Sequence, residues 1–174
     1  MKSLDPTGLK RLHRDWRRQT NGRVALVLDG VQSPFNVGAI VRTAAAYRVD
    51  HVWLAGATAP IASAGVRKTA LGTDKYLTIT ACEQVTDAIA EARADGFRVV
   101  AVELADGAVP LHEVKVGDAV CLVVGNEDHG VSSAALKACD DTAFLPQLGK
   151  VGSLNVATAA SIALYEVRRQ EWSP

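Results

Sequence analysis

Three short stretches of this chain combine glycines with polar side chains, a pattern typical of loops that bind a small molecule. The first contains Asn36 and Arg42, the second is Gly125-Asn-Glu-x-x-Gly130, and the third is Gly152-Ser-Leu-Asn155. Carboxamide, hydroxyl and carboxylate groups orient ligands by hydrogen bonds, and glycines let the backbone approach a ligand closely. A guanidinium adds a permanent positive charge that suits a phosphate or a developing negative charge. Together the stretches predict a site that positions a small molecule.

The elements that must position these residues are clearest in the last third of the chain. One apolar run ends at Val124 before the Gly-Asn-Glu turn, and a second short run ends at Pro146. A glycine-rich loop then enters an alanine-rich helix at Ser153. Ligands bind beyond the carboxyl ends of strands in open parallel sheets. These two strand ends and one helix start therefore predict a site at one edge of a sheet.

The whole chain alternates apolar runs of strand length with apolar stripes of helical spacing. The predicted strands are 24–29, 51–55, 76–80, 97–102, 118–124 and 142–145, and the predicted helices are 7–19, 36–47, 83–94, 132–138 and 153–169. Residues 66–74 are mixed. Asn36 and Ser153 fall where helix caps belong, so each has a structural reading beside a functional one. The predicted class is α/β, with a mostly parallel sheet flanked by helices in a single domain.

Composition limits the partners and the compartment. The 174 residues are 48% apolar, which suffices for one compact core. Nineteen basic and nineteen acidic residues cancel, so any nucleic acid must be met by a local patch. The N-terminus lacks the apolar core of a signal peptide, and no apolar run approaches the ~20 residues of a membrane span. We therefore expect a cytoplasmic protein without membrane contact.

Cysteine usage indicates neither a disulfide frame nor a metal site. Cys82, Cys121 and Cys139 are odd in number, widely separated and in no CxxC arrangement. This pattern favours reduced thiols in a cytosolic protein, and no metal is expected.

The one dense basic segment is the first predicted helix, in residues 1–22. Leu9, Leu12 and Trp16 share one face of it. The remaining surface carries the cations Lys10, Arg11, Arg14, Arg17 and Arg18. One reading is a solvated helix face. The other is contact with an RNA backbone, because guanidinium groups pair bidentately with phosphate and an aromatic ring lies among them.

Several familiar enzyme sites are excluded by missing motifs. The loop at residues 30–35 lacks the GxGxxG spacing that lets a backbone approach a pyrophosphate, so a dinucleotide-binding enzyme is disfavoured. No Walker A sequence and no GxSxG elbow occur. Asp128 and His129 look like an acid and base pair, but sequence neighbours point in different directions on most backbones. A surface turn is the favoured interpretation of these two residues.

The three stretches resemble the motifs of the TrmH (SpoU) branch of the SPOUT methyltransferases. This family moves a methyl group from S-adenosylmethionine to a ribose 2′-hydroxyl of RNA. Its motifs stand here as Asn36-Val-Gly-Ala-Ile-Val-Arg42-Thr, Val124-Gly-Asn-Glu127-Asp-His-Gly-Val131, and Leu145-Pro146 followed by Gly152-Ser153-Leu-Asn155-Val-Ala. The likeness runs from about Val24 to Arg169, and three ordered motifs are far more specific than any one of them.

The resemblance implies an α/β knot, in which the C-terminal segment threads a loop to form a deep trefoil. It also implies a homodimer with the site near the subunit interface, and a methyltransferase domain at residues 23–174 after the basic helix. The implied catalytic residues are Arg42, Asn36, Glu127, Ser153 and Asn155. The implied cofactor-binding residues are Val102, Glu103, Leu104, Val124, Gly125, Asn126, Glu127, Phe144, Leu145, Pro146, Ser153 and Leu154.

The family picture places Arg42 at the 2′-hydroxyl as a base, which conflicts with its chemistry. A guanidinium has a pKa above ~12 and stays protonated. Our hypothesis is that Arg42 clamps the adjacent phosphate and stabilises negative charge on oxygen, while the proton leaves through phosphate or water. A structural ion pair is the alternative role for Arg42.

The sequence leaves more than one interpretation open for the RNA substrate and for the activity. The basic helix stands in place of a separate RNA-binding domain, which favours tRNA over rRNA as substrate. An RNA-binding or dimerising protein that kept the fold and lost turnover is the rival from another class. Base methylation by another SPOUT branch is disfavoured, because the motif from Asn36 to Arg42 goes with ribose targets in this resemblance.

Overall fold

Seven parallel strands form the centre of the molecule, which a computed structural model describes for residues 3–172. The strands are β1 Arg23–Asp29, β2 His51–Ala55, β3 Thr78–Cys82, β4 Arg98–Val102, β5 Val109–Pro110, β6 Ala119–Val124 and β7 Asp141–Phe144. Their lateral order is β3-β2-β1-β6-β4-β7-β5, and every neighbouring pair is parallel. The expected mostly parallel sheet is confirmed.

Helices cover both faces of this sheet. They are α1 Pro6–Arg18, α2 Pro34–Ala46, α3 Ala64–Ala70, α4 Val85–Ala94, α5 Ser133–Ala138 and α6 Val156–Trp172. Apolar residues of α2, α3 and α6 form one core with one face of the sheet, and α4 and α5 form a second core with the other face. Strand β1 explains the arrangement, because Leu26 and Leu28 point into the first core while Ala25 and Val27 point into the second.

The sheet places four strand ends at one edge. Strand β1 lies between β2 and β6, so the chain adds β2 and β3 on one side of β1 and then crosses to place the later strands on the other side. Leu28 pairs with Val124, and Val102 pairs with Ala143, which aligns the carboxyl ends of β1, β6, β4 and β7. A change in winding direction opens a crevice beyond the carboxyl ends of the strands. The fold therefore prepares a ligand site at this edge.

Two predicted helix starts were wrong, and both errors concern site residues. Helix α2 begins at Pro34, not at Asn36, and the hydroxyl of Ser33 accepts a hydrogen bond from the Asn36 backbone at 3.4 Å. Helix α6 begins at Val156, where Asn155 and not Ser153 is the cap. The Asn155 Oδ1 atom accepts hydrogen bonds from the backbone N–H groups of Ala157 and Thr158 at 3.0 and 3.2 Å. Proline at the first helical position fixes the earlier start of α2.

Helix α3 and strand β5 were not predicted. Helix α3 has seven residues, too few to display an apolar stripe, and it packs on α2 where Gly38 lies. A Cβ atom at Gly38 would come within 2.7 Å of Thr69 Cβ and of the Val66 carbonyl oxygen. The close approach that Gly38 permits is therefore that of α3. Strand β5 has two residues and takes its pairing from β7 alone.

Residues 3–172 contain free cysteines, but no metal-ligand cluster and no membrane-spanning helix. Cys82, Cys121 and Cys139 are free, and burial raises the pKa of Cys139 to about 12. No cluster of three or more potential metal ligands occurs in the described part of the chain. No helix there has the length and apolar character to cross a bilayer.

A buried arginine ties three segments together behind the sheet edge. The Arg168 side chain is 2% exposed. Its guanidinium donates to the carbonyl oxygens of Gly22, Tyr47 and Arg48 at 2.7, 3.0 and 2.9 Å, and to the Glu171 carboxylate at 3.0 Å. Helix α6 is thereby fixed to the start of β1 and to the end of α2.

Replacing Arg168 by leucine should lower the free energy of unfolding by about 3 kcal/mol or more, because a carboxylate and three carbonyl groups lose their donors. Urea denaturation measures this loss. The control is Arg169→Leu, whose guanidinium pairs with Glu166 near solvent and should leave stability close to that of the unmodified protein. Equal losses in both variants would contradict a special role for the buried cation.

Candidate active site

Two of the three polar stretches line a cavity of about 550 Å³ beyond the carboxyl ends of β4, β6 and β7, and the first stretch lies beside it through Asn36. This volume lies within the range of about 300–1,000 Å³ for small-molecule pockets. The wall consists of Val102, Glu103, Leu104, Val124, Gly125, Asn126, Glu127, Asp128, His129, Gly130, Phe144, Leu145, Gln147, Gly152, Ser153, Leu154, Asn155, Val156 and Ala159.

A chain of hydrogen bonds joins the three stretches beside this cavity. Glu127 Oε1 accepts from Asn36 Nδ2 at 2.9 Å and from the Ser33 backbone at 3.0 Å. Glu127 Oε2 accepts from the Gln32 backbone at 3.1 Å. Asn36 Oδ1 in turn accepts from Asn155 Nδ2 at 3.0 Å. Asn36 thus connects the turn after β6 with the start of α6.

The electrostatics of Glu127 favour its charged form. Partial burial disfavours the carboxylate, but hydrogen bonds from Asn36 and from the backbone N–H groups of Glu127, Ser33 and Gln32 outweigh it and lower the pKa of Glu127. Because the pKa is lowered, these bonds contribute their full stabilisation when the pH is above the ordinary pKa range of a carboxyl group. The stabilisation is lost as the pH falls through the lowered pKa. Glu127 is therefore a fixed acceptor at neutral pH, suited to positioning.

The turn after β6 is closed by its own polar groups. The backbones of Asn126 and Gly130 exchange two hydrogen bonds of 2.9 Å. Asn126 Oδ1 accepts from the Asp128 and His129 backbones at 2.9 and 3.1 Å, and its Nδ2 donates to the Gly30 carbonyl at 2.7 Å. Asp128 and His129 lie on this exposed turn, as expected, and they also line the cavity.

Glycine is required at two positions of this turn. A Cβ atom at Gly125 would overlap the backbone of Gly130 and Val131. Gly130 has φ +67, and a Cβ there would overlap the Glu103 carboxylate. That carboxylate accepts from the Val131 and Leu104 backbones at 2.8 and 2.9 Å, which joins the turn to the end of β4. The backbone itself therefore forms this part of the wall.

Every predicted cofactor-binding residue except Pro146 lies on the wall. Pro146 directly follows Leu145 after β7 and is exposed, whereas Leu145 and Gln147 line the cavity. Sequence reasoning missed Gln147, although its spacing from Leu145 was the available signal. Its Oε1 atom is buried and has no hydrogen-bond partner among residues 3–172.

The predicted catalytic residues divide into three groups. Glu127, Ser153 and Asn155 line the cavity, and Asn36 is hydrogen-bonded to two of them. Arg42 lies outside it, exposed on α2, with no hydrogen bond or ion pair to any residue between positions 3 and 172. Six residues of helix separate Arg42 from Asn36, a rise of about 9 Å. A single chain therefore does not bring Arg42 to the cavity wall.

The predicted basic helix is present as α1, away from the cavity. Asp5 caps it by accepting from the Gly8 backbone at 2.7 Å. None of its residues is buried, and its five predicted RNA-contacting cations are exposed. The contact with RNA stays a prediction.

Comparison with known proteins places the chain in one family. Residues 23–165 match the SpoU rRNA Methylase family, and the chain belongs to that family. It is 32% identical over 157 residues to the tRNA (guanosine(18)-2′-O)-methyltransferase of Escherichia coli K12, covering 88% of this chain and 66% of the relative. It is 33% identical over 156 residues to the 23S rRNA (guanosine(2553)-2′-O)-methyltransferase RlmP of Bacillus subtilis, covering 90% and 62%.

A solved structure agrees with these sequence matches. The AdoMet-bound rRNA methyltransferase of Sinorhizobium meliloti superposes with a TM-score of 0.80 at 32% identity, over 86% of this chain and 57% of that one. The chain thus spans less than two thirds of the length of the two curated relatives.

Replacing Gly125 by alanine should destabilise the fold by about 1–3 kcal/mol, because the added methyl group meets rigid backbone. Thermal unfolding measures the change. Gly152→Ala is the matched control on the same wall, since a Cβ there meets no atom within 4 Å. A Gly125→Ala variant as stable as Gly152→Ala would show that the turn can move.

Proposed function

We propose that this protein transfers a methyl group from S-adenosylmethionine to a ribose 2′-hydroxyl of RNA. The observation that carries the proposal is the hydrogen-bonded junction of Glu127, Asn36 and Asn155, which joins the first family motif to the two motifs that line one cavity. Relatives named as tRNA and rRNA 2′-O-methyltransferases support the same reaction. We propose tRNA as the preferred substrate, in line with the first of these relatives.

The cavity residues fit S-adenosylmethionine. Gly125 and Gly130 lie on the wall, and they let the turn after β6 fold tightly against itself and against the Glu103 carboxylate. The buried Gln147 Oε1 atom lacks a donor, and the amino groups of S-adenosylmethionine are hydrogen-bond donors. The wall residues from Val102 to Leu104 and from Phe144 to Leu145 would hold it, together with the turn after β6. When bound, S-adenosylmethionine supplies an activated methyl group on a sulfonium centre.

The polar wall residues then act by positioning. Glu127 and Asn36 fix the loops, and Asn155 fixes the start of α6 through two backbone N–H groups. The exposed hydroxyl of Ser153 lies on the wall, where it can hydrogen-bond a ribose. Accurate alignment of the reacting atoms is itself a large part of catalysis.

Arg42 supplies charge to this proposed reaction. Its guanidinium has no protein partner among residues 3–172, so it is available to an RNA phosphate. The 2′-oxygen must lose its proton as it bonds to the methyl carbon. We propose that Arg42 holds the adjacent phosphate and stabilises the negative charge on that oxygen, while phosphate or water takes the proton.

A homodimer is proposed as the working form. Phe35 on α2 and Ile162 and Tyr165 on α6 are 60%, 43% and 49% exposed, and these helices pack together. Neighbouring exposed apolar side chains on adjacent helices indicate a surface that another protein covers. Because Arg42 lies on α2 outside its own cavity, a second copy can complete the site.

Three further features belong to this proposal. We propose that the segment after β7 threads a loop to form a trefoil knot; in support, α6 packs across on α2 and β6, away from β7. We propose that residues 1–22, which contain α1, are a basic RNA-contacting segment beside a methyltransferase domain at 23–174, since α1 buries none of its residues. We also propose action in the cytoplasm, which suits three free thiols.

A second candidate is an RNA-binding protein of this fold without turnover. The position of Arg42 outside the cavity favours it. This candidate predicts RNA binding with no transferred methyl group.

The decisive experiment supplies unmodified total RNA and S-adenosylmethionine labelled in its methyl group. We expect label in RNA of tRNA size, at a single ribose that resists alkaline cleavage because its 2′-oxygen is blocked. Calorimetry measures binding of S-adenosylmethionine in parallel. Label on a base, or donor binding without any labelled RNA, would overturn the proposed activity.

Changing Arg42 to alanine should lower turnover by about 100-fold or more while leaving donor affinity within about twofold, because the charge acts on the RNA side. Arg67→Ala, an exposed arginine on α3, is the matched control and should retain full turnover. Lost donor binding would instead make Arg42 part of the donor pocket, and unchanged turnover would remove it from the reaction.

Replacing Ile162 by arginine should weaken self-association at least tenfold, about 1.4 kcal/mol, because a charge would be buried in the proposed interface. Sedimentation velocity over a range of protein concentrations measures this. Leu71→Arg changes an exposed leucine at the end of α3, outside α2 and α6, and should leave association unchanged. Equal association of both variants would move the interface elsewhere.

A further inference from the structure

A second cavity of about 690 Å³ lies between α1, the end of α2 and the end of α6. It shares no lining residue with the first cavity. Its wall is formed by Lys10, His13, Trp16, Arg17, Thr20, Ala45, Ala46, Tyr47, Arg48, Tyr76, Arg168 and Trp172. Four aromatic side chains and several cations therefore face one space, and no aspartate or glutamate in residues 3–172 lines it.

Two tryptophans of this cavity are held in place, and Trp16 and Tyr76 remain accessible. The rings of Trp16 and Trp172 lie 4.9 Å apart between centroids. Trp172 Nε1 donates to the Thr20 hydroxyl at 2.9 Å, and that hydroxyl donates to the Trp16 carbonyl at 2.8 Å. Trp16 is still 45% exposed and Tyr76 is 70% exposed. Such large exposed rings offer stacking surfaces at little cost in conformational entropy.

The cations of this cavity are of two kinds. Arg168 is buried and its guanidinium already binds three carbonyl groups and Glu171, so it is structural. Lys10, Arg17 and Arg48 are exposed, and Arg17 and Arg48 each donate one long hydrogen bond of 3.3 Å, to the His13 and Thr20 carbonyl oxygens. Arg48 has φ +56, a strained conformation for a residue with a side chain, and Arg168 holds it there through the Arg48 carbonyl. The fold thus imposes backbone strain at a residue that presents a guanidinium to this cavity.

We propose that this cavity binds one unpaired nucleotide of the RNA, with its base against Trp16 and Tyr76 and its phosphate at Lys10, Arg17 and Arg48. The proposal rests on the proposed function, which makes RNA the substrate. Proteins recognise single-stranded RNA by stacking splayed bases on aromatic rings and by binding the backbone with cations. This cavity provides both groups within one wall.

A second copy of the chain is a poorer occupant. A twofold contact would bring this basic cavity against the same cavity of its partner, and like charges across an interface are unfavourable. An RNA nucleotide has the opposite charge and a flat aromatic base. The site would select RNAs that carry an unpaired nucleotide at a fixed span from the methylated ribose.

The test compares Tyr76→Ala and Tyr76→Phe by fluorescence anisotropy, using a labelled tRNA transcript at two salt concentrations. Loss of one stacked base should weaken binding about tenfold at both salt concentrations, and phenylalanine should restore it. Lys10→Ala should instead reduce the slope of the logarithm of the binding constant against the logarithm of salt concentration by about one, because one phosphate contact is lost. Tyr76 is highly exposed, so its substitution leaves the fold intact, and circular dichroism checks this.

Tryptophan fluorescence gives an independent measurement. The chain has three tryptophans, and Trp53 is fully buried. Quenching by RNA therefore reports Trp16 and Trp172 at the cavity. We expect RNA to quench the unmodified protein and to quench Tyr76→Ala only at about tenfold higher concentration. Donor affinity by calorimetry should be equal in all variants.

Two results would overturn the proposal: RNA affinity and quenching unchanged in Tyr76→Ala, or a loss of self-association in that variant with RNA affinity retained. The second result would assign the surface to another copy of the chain. Methyl transfer measured on the same transcript separates this site from the proposed activity. If Tyr76→Ala weakens RNA binding but no methyl group is transferred, the nucleotide site is kept and the proposed activity is rejected. If methyl transfer occurs and Tyr76→Ala binds RNA normally, the activity is kept and the nucleotide site is rejected.

Discussion

The Glu127 carboxylate holds the candidate site together, because both of its oxygens accept hydrogen bonds from residues 32–36. Its oxygens accept hydrogen bonds from the backbone N–H groups of Ser33 and Gln32 and from the Asn36 side chain. Asn36 in turn accepts a hydrogen bond from Asn155. Ionised acceptors form the stronger class of hydrogen bond, and the same bonds lower the pKa of Glu127. Three loops distant in sequence are thereby held in one arrangement without a metal or disulfide between them in the described chain.

The sheet makes this junction possible. Parallel strands β1, β6, β4 and β7 end at one edge, and winding in opposite directions from β1 leaves that edge open. Backbone forms much of the wall, because Gly125 and Gly130 exclude side chains from the turn. The opposite end of the molecule is organised by a cation instead, where Arg168 binds three carbonyl groups from two segments. Each end thus depends on one charged side chain with saturated hydrogen bonds.

Sequence reasoning was most accurate where apolar periodicity was long. Strand β2 was placed at its observed bounds, and the continuous apolar run of β1 correctly indicated burial on both faces. It failed where an element is short or where two neighbouring residues could each start a helix. Helix α3 is too brief for a stripe, and Ser33 with Pro34 offers a better helix start than Asn36. The wall residues followed from the motifs, except that Pro146 faces outward and Gln147 inward.

The sequence by itself determined the alternation of strands and helices, the family motifs and the basic character of α1, because these depend on residue type and spacing along the chain. Tertiary structure alone decided that Asn36 bonds Glu127 and Asn155, that Arg42 lies outside its own cavity, and that Trp16, Tyr76 and Trp172 share a second cavity. The physical reason is that hydrogen-bond partners and the rotation of a helix about its axis are set by contacts between distant segments. No local spacing encodes which of several competent partners a side chain will meet.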